Sequence, residues 1–210
     1  MGFFKVVTGV MGCGKSTRFI SDYKSSKYRN CSIITMKSVL DTRDGDEIKS
    51  RNMSETVKAD YLLDADTDIP LLDIVLNKVN YIMVDEAQFL TQEQIMELYR
   101  LSTFNNINVI LYGLRMCWKG TPFQTMQLAI SMADEVEVIR VYNDRGEELT
   151  HQIITKDGVP LPITKTAPEV YIGDVSPTDG ESTDKGAETK LSFHTVTKVE
   201  FYNIYNEIQF

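Results

Sequence analysis

The chain has 210 residues, with 22 Lys and Arg against 30 Asp and Glu, a net charge of −8, and 42% hydrophobic residues. That length fits one domain with a small appendage, and the mixture of both charge signs argues against global disorder. The acidic balance disfavours non-specific binding to nucleic acid or a membrane surface, both of which are anionic, yet leaves room for a local basic pocket around a phosphorylated ligand.

Phe3-Phe4-Lys5-Val6-Val7-Thr8 predicts a first strand, and after a glycine-rich turn the stretch from Lys15 to about Tyr28 predicts a helix. Cys31-Ser32-Ile33-Ile34-Thr35-Met36 and Tyr81-Ile82-Met83-Val84 read as further strands. Thr91-Gln92-Glu93-Gln94 has the residues of a capping box, threonine at N-cap and glutamine at N3, and predicts a helix to about Phe104. Asn108-Val109-Ile110-Leu111-Tyr112 and Glu135 to Val141 complete the set. Strands that are apolar on both faces and separated by helices point to an α/β fold, a mostly parallel sheet flanked by helices.

Beyond residue 141 the turn signals Asn143-Asp144-Arg145-Gly146 and Lys156-Asp157-Gly158 separate short β-prone runs. Residues 142–210 are therefore expected to form a small β-hairpin segment beside an α/β domain over residues 1–141. Residues 174–190 contain almost nothing to bury and predict a mobile loop. His194 to Tyr205 regains alternation and aromatics and reads as a terminal strand or an oligomer contact.

Gly9-Val10-Met11-Gly12-Cys13-Gly14-Lys15-Ser16 fits G-x-x-x-x-G-K-[ST]. Small residues let successive backbone N–H groups fold around phosphate oxygens at a helix N-terminus; the lysine then reaches the β- and γ-phosphates, and the Ser16 hydroxyl suits Mg²⁺. A predicted strand before the motif and a helix after it give the context this chemistry needs, so the domain reads as a P-loop NTPase type with a nucleotide site that suits Mg²⁺. The strand Tyr81–Val84 runs into Asp85 and Glu86. In P-loop proteins an aspartate at this place holds Mg²⁺, and the adjacent carboxylate is suited to take a proton from an incoming hydroxyl or water. The bland alternative is a solvated capping pair after a strand. Strand alternation aims the two carboxylates at opposite faces, which favours one role each over a shared proton.

These segments and others resemble the thymidine kinase family of the small tetrameric (type II) class. Gly9-x-Met11-x-x-Gly14-Lys15-Ser16-Thr17 is similar to that family's phosphate loop, and Lys37, Asp41-x-Arg43 and Ile48-x-Ser50-Arg51 to its lysine, D-x-R and serine-basic segments. Val84-Asp85-Glu86-Ala87-Gln88-Phe89 resembles its D-E-[AG]-Q-F signature. Tyr112-Gly113-Leu114-Arg115, with Trp118-Lys119-Gly120-x-Pro122-Phe123, resembles its Y-G-L-[DR]-x-x-F-[RK]-G-x-P-F segment, and Met132-Ala133-Asp134-Glu135-Val136 the L-A-D-x-V that follows.

The resemblance implies transfer of the ATP γ-phosphate to the 5′-hydroxyl of thymidine or a related deoxynucleoside, giving dTMP for DNA synthesis, by a homotetramer. It implies Glu86 as the base, Lys15 as the phosphate clamp, Arg43 and Arg51 as further phosphate contacts, and Ser16 and Asp85 as Mg²⁺ ligands. Gly9, Met11, Gly12, Gly14, Lys15, Ser16 and Thr17 would bind ATP, and Met11, Phe89, Leu114, Trp118, Phe123 and Tyr171 the nucleoside. Stacking and apolar packing suit a flat methylated pyrimidine, while ordinary core packing is the other reading of these side chains. The segment after residue 141 would be the lid that excludes water.

The family's zinc ribbon has no counterpart. Tyr142-Asn143-Asp144-Arg145-Gly146 stands where the resemblance places C-x-x-C-G, and His151 and His194 are lone histidines, so no zinc is expected. Glu169-Val170-Tyr171-Ile172-Gly173-Asp174 resembles the family's V-V-I-G-G with Asp174 at the second glycine. Two other functions share the phosphate loop: a kinase-derived nucleotide-binding protein with a lost or changed acceptor, and a P-loop NTPase that activates water. Cys13, Cys31 and Cys117, odd in number and scattered, form neither a disulfide framework nor a C-x-x-C pair. No apolar run approaches the ~20 residues that span a bilayer, the first residues lack a signal peptide's apolar region, and Val6 departs from the myristoylation motif. A soluble cytoplasmic protein is expected, with neither nucleic acid nor membrane as partner.

Overall fold

The first strand, β1 (Phe4–Gly9), leads through the glycine-rich turn into α1 (Lys15–Tyr28) and then β2 (Ile33–Ser38), in a computed structural model that describes residues 2–41, 44–168 and 191–205 and the backbone of 181–182. A short antiparallel pair, β3 (Glu47–Ile48) with β4 (Val57–Lys58), is followed by β5 (Tyr61–Leu63) and α2 (Leu71–Leu76). β6 (Tyr81–Asp85) ends in a 3-10 turn, Ala87–Phe89, before α3 (Gln92–Asn105), β7 (Asn108–Leu114), α4 (Gln124–Met132) and β8 (Glu135–Ile139). The rest of the described chain is β9 (Val141–Tyr142), β10 (Glu148–Lys156), β11 (Val159–Pro160), β12 (Glu181–Ser182), β13 (Leu191–Thr197) and α5 (Lys198–Tyr205).

Contacts divide the chain into two compact units. One contains residues up to Gly9, Gly14–Arg115 and Phe123–Ile139; the other contains Val10–Cys13, Met116–Pro122 and the chain from Arg140 on.

In the first unit six strands pair in the order β5-β2-β6-β7-β1-β8, and every ladder is parallel. The central strands are apolar on both faces because both faces are covered: Val6, Val7, Ile82, Met83, Val84, Val109, Leu111 and Tyr112 have no exposed surface. α1 packs against β1, β2, β6 and β7, where Phe19 and Ile20 join Val7, Met83, Ile110 and Tyr112 in one cluster. α3 packs on β7, and its Tyr99 meets Phe4 edge-on at 5.5 Å. Phe4 and Val7 lie an odd number of residues apart on β1, so the two helices cover opposite faces. Each buried Phe, Ile or Val contributes roughly 1.5–3 kcal/mol relative to exposure.

The second unit is an antiparallel sheet in the order β11-β10-β13-β12, with β9 also on β10. Trp118, Ile154 and Phe193 form a core against Met11, Leu161, Ile163, Ala167 and Leu191, and a second cluster joins Ile153 to Phe201 and Tyr205. Gly120 sits at φ +77, and a Cβ there would lie 2.9 Å from the Phe201 ring, so both backbone and space call for glycine.

The strand expected from His194 onward continues only to Thr197, and residues 198–205 are helical. Thr197 Oγ1 accepts from the Glu200 amide at 3.1 Å while Glu200 Oε2 accepts from the Thr197 amide at 2.9 Å, a reciprocal cap that starts α5. Of the expected mobile stretch 174–190, Glu181–Ser182 pairs with β13, and the other residues lie outside those described.

The expected cap at Thr91 is present. Thr91 Oγ1 accepts from the Gln94 amide at 3.1 Å, and Gln94 Oε1 accepts from the Thr91 amide at 2.9 Å. The buried Gln94 also donates Nε2 to the carbonyls of Asp64 and Thr67, both at 2.7 Å, tying the loop after β5 to α3. Thr91→Ala should therefore lower unfolding free energy by about 1 kcal/mol. Gln94→Ala, which also strands two carbonyls, should lower it by about 2–3 kcal/mol. Urea denaturation measures both, and equal losses would show that the second pair of bonds contributes nothing.

Candidate active site

The parallel ladder brings several strand ends to one edge of the sheet. Gly9 pairs in register with Leu114, and Lys37 with Asp85. The Thr8 hydroxyl donates to the Gly113 carbonyl at 2.8 Å, fastening β1 to β7 just before both strands end.

The glycine-rich turn follows β1. Gly12 and Gly14 have φ of +75 and +96, a region that L side chains rarely adopt, and Gly14 is the N-cap of α1. The turn therefore needs glycine at both places for its backbone rather than for space at Gly12, where a Cβ would meet nothing within 4 Å. Lys15 and Ser16 open α1, the lysine buried, and the Thr17 hydroxyl shares a hydrogen bond of 2.6 Å with that of Ser50.

β6 delivers the carboxylates. Asp85 is 4% exposed, and burial pushes its carboxyl up to about 7, with the charges of Glu86 and Asp41 adding to the rise. The Glu86 backbone and the Lys15 ammonium pull the other way. Asp41 is itself buried against Lys37 at 3.1 Å. Lys37, 1% exposed, also donates to the carbonyls of Gly45 and Glu47 at 3.2 and 3.0 Å, so a buried ammonium is satisfied by three oxygens and anchors the loop after β2.

Glu86 is not a strand residue. β6 ends at Asp85, and Glu86 turns into the left-handed region at φ 51, ψ 41, a conformation that disfavours a side chain by about 1–2 kcal/mol. Its direction is set by this turn and not by the strand's pleat, so the expected alternation between the two carboxylates does not apply. The Glu86 carboxylate accepts a hydrogen bond from the buried Gln88 side-chain amide. Gln88 Oε1 in turn accepts from the Leu114 amide at 2.9 Å, and its carbonyl accepts from the Thr125 hydroxyl at 2.9 Å.

The residues expected at the nucleoside are shared between the two units. Phe89 meets Phe123 edge-on at 6.3 Å in the first unit, beside the turn that carries Glu86 and Gln88. Leu114 is the half-buried last residue of β7. Met11 and Trp118 belong to the second unit, where Trp118 is 1% exposed and donates Nε1 to the Pro168 carbonyl at 3.0 Å. Arg43 and Tyr171 lie outside the described residues. Gln88, its neighbour Gly113 and Thr125 were not singled out from the sequence, although a glutamine two positions after the paired carboxylates was a legible signal.

Among the described residues no group of three or more His, Cys, Asp and Glu is placed to hold a metal ion. Mg²⁺ makes a lighter demand, one or two protein oxygens beside substrate phosphates, and the buried Asp85 with two further carboxylates facing it is a donor that a hard cation would stabilise. No helix among the described residues is long and apolar enough to cross a membrane.

A parallel sheet with a strand–glycine turn–helix unit, and a strand two places along the sheet that runs into paired carboxylates, defines an α/β protein of the phosphate-loop class. Residues 2–142 match the family model described as thymidine kinase. The chain is 32% identical over 164 residues to the thymidine kinase of Chromobacterium violaceum, covering 78% of this chain and 86% of that protein. It is 28% identical over 171 residues to the thymidine kinase of Enterobacteria phage T4, covering 78% and 85%, and 34% identical over 137 residues to that of Onion yellows phytoplasma, covering 64% and 63%. The chain belongs to the thymidine kinase family.

The raised carboxyl of Asp85 has a consequence for stability. Its folded-state value lies above the ordinary 3.8, so its contribution is complete below about pH 4 and is lost as pH rises toward about 7. The ligand-free protein should melt lower, by on the order of 5 °C, at pH 8 than at pH 5. Asp85→Asn should flatten that slope, as read by calorimetry at both pH values; a slope of the same size in the variant would remove Asp85 as its source.

Proposed function

We propose that the chain is an ATP-dependent thymidine kinase that transfers the γ-phosphate to the 5′-hydroxyl of thymidine, working in the cytoplasm as a homotetramer. The observation that carries this reading is the turn at the end of β6. It begins beside Asp85, which feels the Lys15 charge, and holds Glu86 and Phe89 three residues apart in one short segment.

In this reading the amides of the Gly9–Ser16 loop and Lys15 grip the triphosphate. Charge on the phosphate oxygens grows and moves during transfer, and fixed donors lower the barrier because they need no reorganisation. Glu86 accepts the proton of the 5′-hydroxyl as the oxygen attacks the γ-phosphorus, and the bond from that phosphorus to the β–γ bridging oxygen breaks, leaving ADP. Ser16 and Asp85 would hold Mg²⁺, which supplies positive charge to the phosphates when bound. Phe89, Leu114 and Phe123 supply apolar surface for the base, and Arg43 and Arg51 are proposed as further phosphate contacts, with Tyr171 a further nucleoside contact. An acidic protein with a few concentrated cations suits small anionic substrates better than nucleic acid.

Labelled ATP with a panel of nucleosides tests the assignment. Labelled monophosphate with thymidine or deoxyuridine alone is the expected result. Phosphate release without any nucleoside would make the protein an ATPase, and nucleotide binding without turnover would make it a binding protein. Glu86→Gln should lower kcat by roughly 100-fold with ATP affinity little changed, in line with general-base contributions. Lys15→Ala should lower turnover through lost charge on the phosphates; full activity in that variant would sink the phosphate-loop assignment.

A further inference from the structure

Glu86 occupies a backbone conformation that disfavours side chains, so something must hold it there and fix where its carboxylate points. Glu86 is the N-cap residue of the three-residue 3-10 turn that follows, and its side chain makes no capping bond to that turn. Gln88 makes one connection that links this carboxylate to the sheet. Its side chain is buried, and its two polar atoms are spent in opposite directions, Nε2 on the Glu86 carboxylate and Oε1 on the Leu114 amide at the end of β7. A third bond, from the Thr125 hydroxyl at 2.9 Å, fixes the Gln88 backbone to α4. The neighbouring chain makes room for this seat: a Cβ on Gly113 would stand 2.8 Å from Gln88 Oε1 and 2.9 Å from Met126 Sδ.

We infer that Gln88 is a positioning residue for the reaction, a strut that transmits the rigid end of β7 to the carboxylate of Glu86. The inference rests on the reading of Glu86 as the base. A base is effective only when its oxygen lies within hydrogen-bond reach of the proton it takes, and an error of about 1 Å is enough to lower the rate by on the order of 100-fold. Leu114 is suited to pass on such an error because it pairs with Gly9, the first residue of the phosphate loop. The glutamine thus refers the base to the same strand that borders the triphosphate grip. Only an amide in this position donates to one partner and accepts from the other. A carboxylate lacks the donor, and an apolar side chain lacks both.

A double-mutant cycle tests the strut. Gln88→Met keeps the length of the side chain and removes both bonds. It should lower kcat by about 10–100-fold, with KM for ATP and thymidine within about twofold. In the Glu86→Gln background, where there is no base left to misplace, the same substitution should lower kcat by less than about twofold. Equal losses in the two backgrounds, or an unchanged kcat in Gln88→Met, would overturn the inference. Gln88→Glu keeps the acceptor for Leu114 and replaces the donor to Glu86 with a carboxylate that repels it, so it carries the same comparison if Gln88→Met does not fold. Its loss should again appear with Glu86 present and vanish without it. The Glu86→Gln single variant separates the two levels of the argument, since full activity there removes the base itself, whereas a slow Glu86→Gln with a fast Gln88→Met removes only the strut.

Discussion

Parallel pairing of β6, β7 and β1 is the constraint on which the site depends. In a parallel ladder all strands end on the same side, so whatever follows each strand is delivered to one edge whatever its distance in sequence. Lys15 follows β1, Asp41 follows β2, Glu86 follows β6, and Leu114 closes β7. The bonds across the strand ends, Thr8 to Gly113 and Gln88 to Leu114, fix register where a slip would matter most. Register errors in a sheet buried on both faces would also misplace the fully buried Val6, Val84 and Leu111, so packing and site geometry reinforce each other.

The electrostatics of this edge follow from burial. In a chain of net charge −8, three carboxylates gather at one place, two of them nearly inaccessible. Asp41 has Lys37 as a close partner, an ammonium with almost no exposure and three oxygen acceptors. Against the carboxylates of Glu86 and Asp41, Asp85 has the Glu86 backbone and the Lys15 charge, which do not offset its burial. That imbalance is unfavourable for the free protein and suits the proposed cation and polyphosphate: the groups are fixed in place by folding, so a ligand that neutralises them would relieve the strain.

The α/β domain was legible because its signals are local. β1, α1, β6, α3 and β7 lie where apolar runs, a glycine turn and a capping box place them, since strands buried on both faces leave no ambiguous alternation to misread. α5 was missed although Thr197-Lys198-Val199-Glu200 has the spacing of a capping box, because the alternating residues before it favoured strand. β5 was missed for another reason: three residues at a sheet edge carry no period of their own, and Tyr61–Leu63 is a strand only because β2 pairs with it. The carboxylates were legible as a motif, but their relation was not. Whether Glu86 continues the strand or leaves it depends on one φ angle, and although Gln88 stands in the D-E-A-Q-F segment, nothing in the sequence says that its amide bonds the Glu86 carboxylate on one side and the Leu114 amide on the other.

The second unit shows how a segment lacking the family's cysteines is held at the corresponding turn. Asn143 Oδ1 accepts from the amides of Arg145 and Glu147 at 3.0 and 2.9 Å, and Gly146 takes φ +77, so side-chain and backbone chemistry together close the hairpin. Arg145 bridges Glu147 at 2.9 Å and Glu200 of α5 at 3.0 Å. These ion pairs are more than 40% exposed on both sides, and pairs of that kind contribute at most about 1 kcal/mol. Surface charge therefore contributes little to holding this turn. What remains is apolar packing: Trp118, Ile154 and Phe193 on one side, and Ile153, Phe201 and Tyr205 on the other, at roughly 1.5–3 kcal/mol for each well-buried side chain. Trp118 of the W-K-G-x-P-F segment contributes to this packing with its side-chain N–H satisfied by the Pro168 carbonyl, so its burial leaves no unpaired donor in the core.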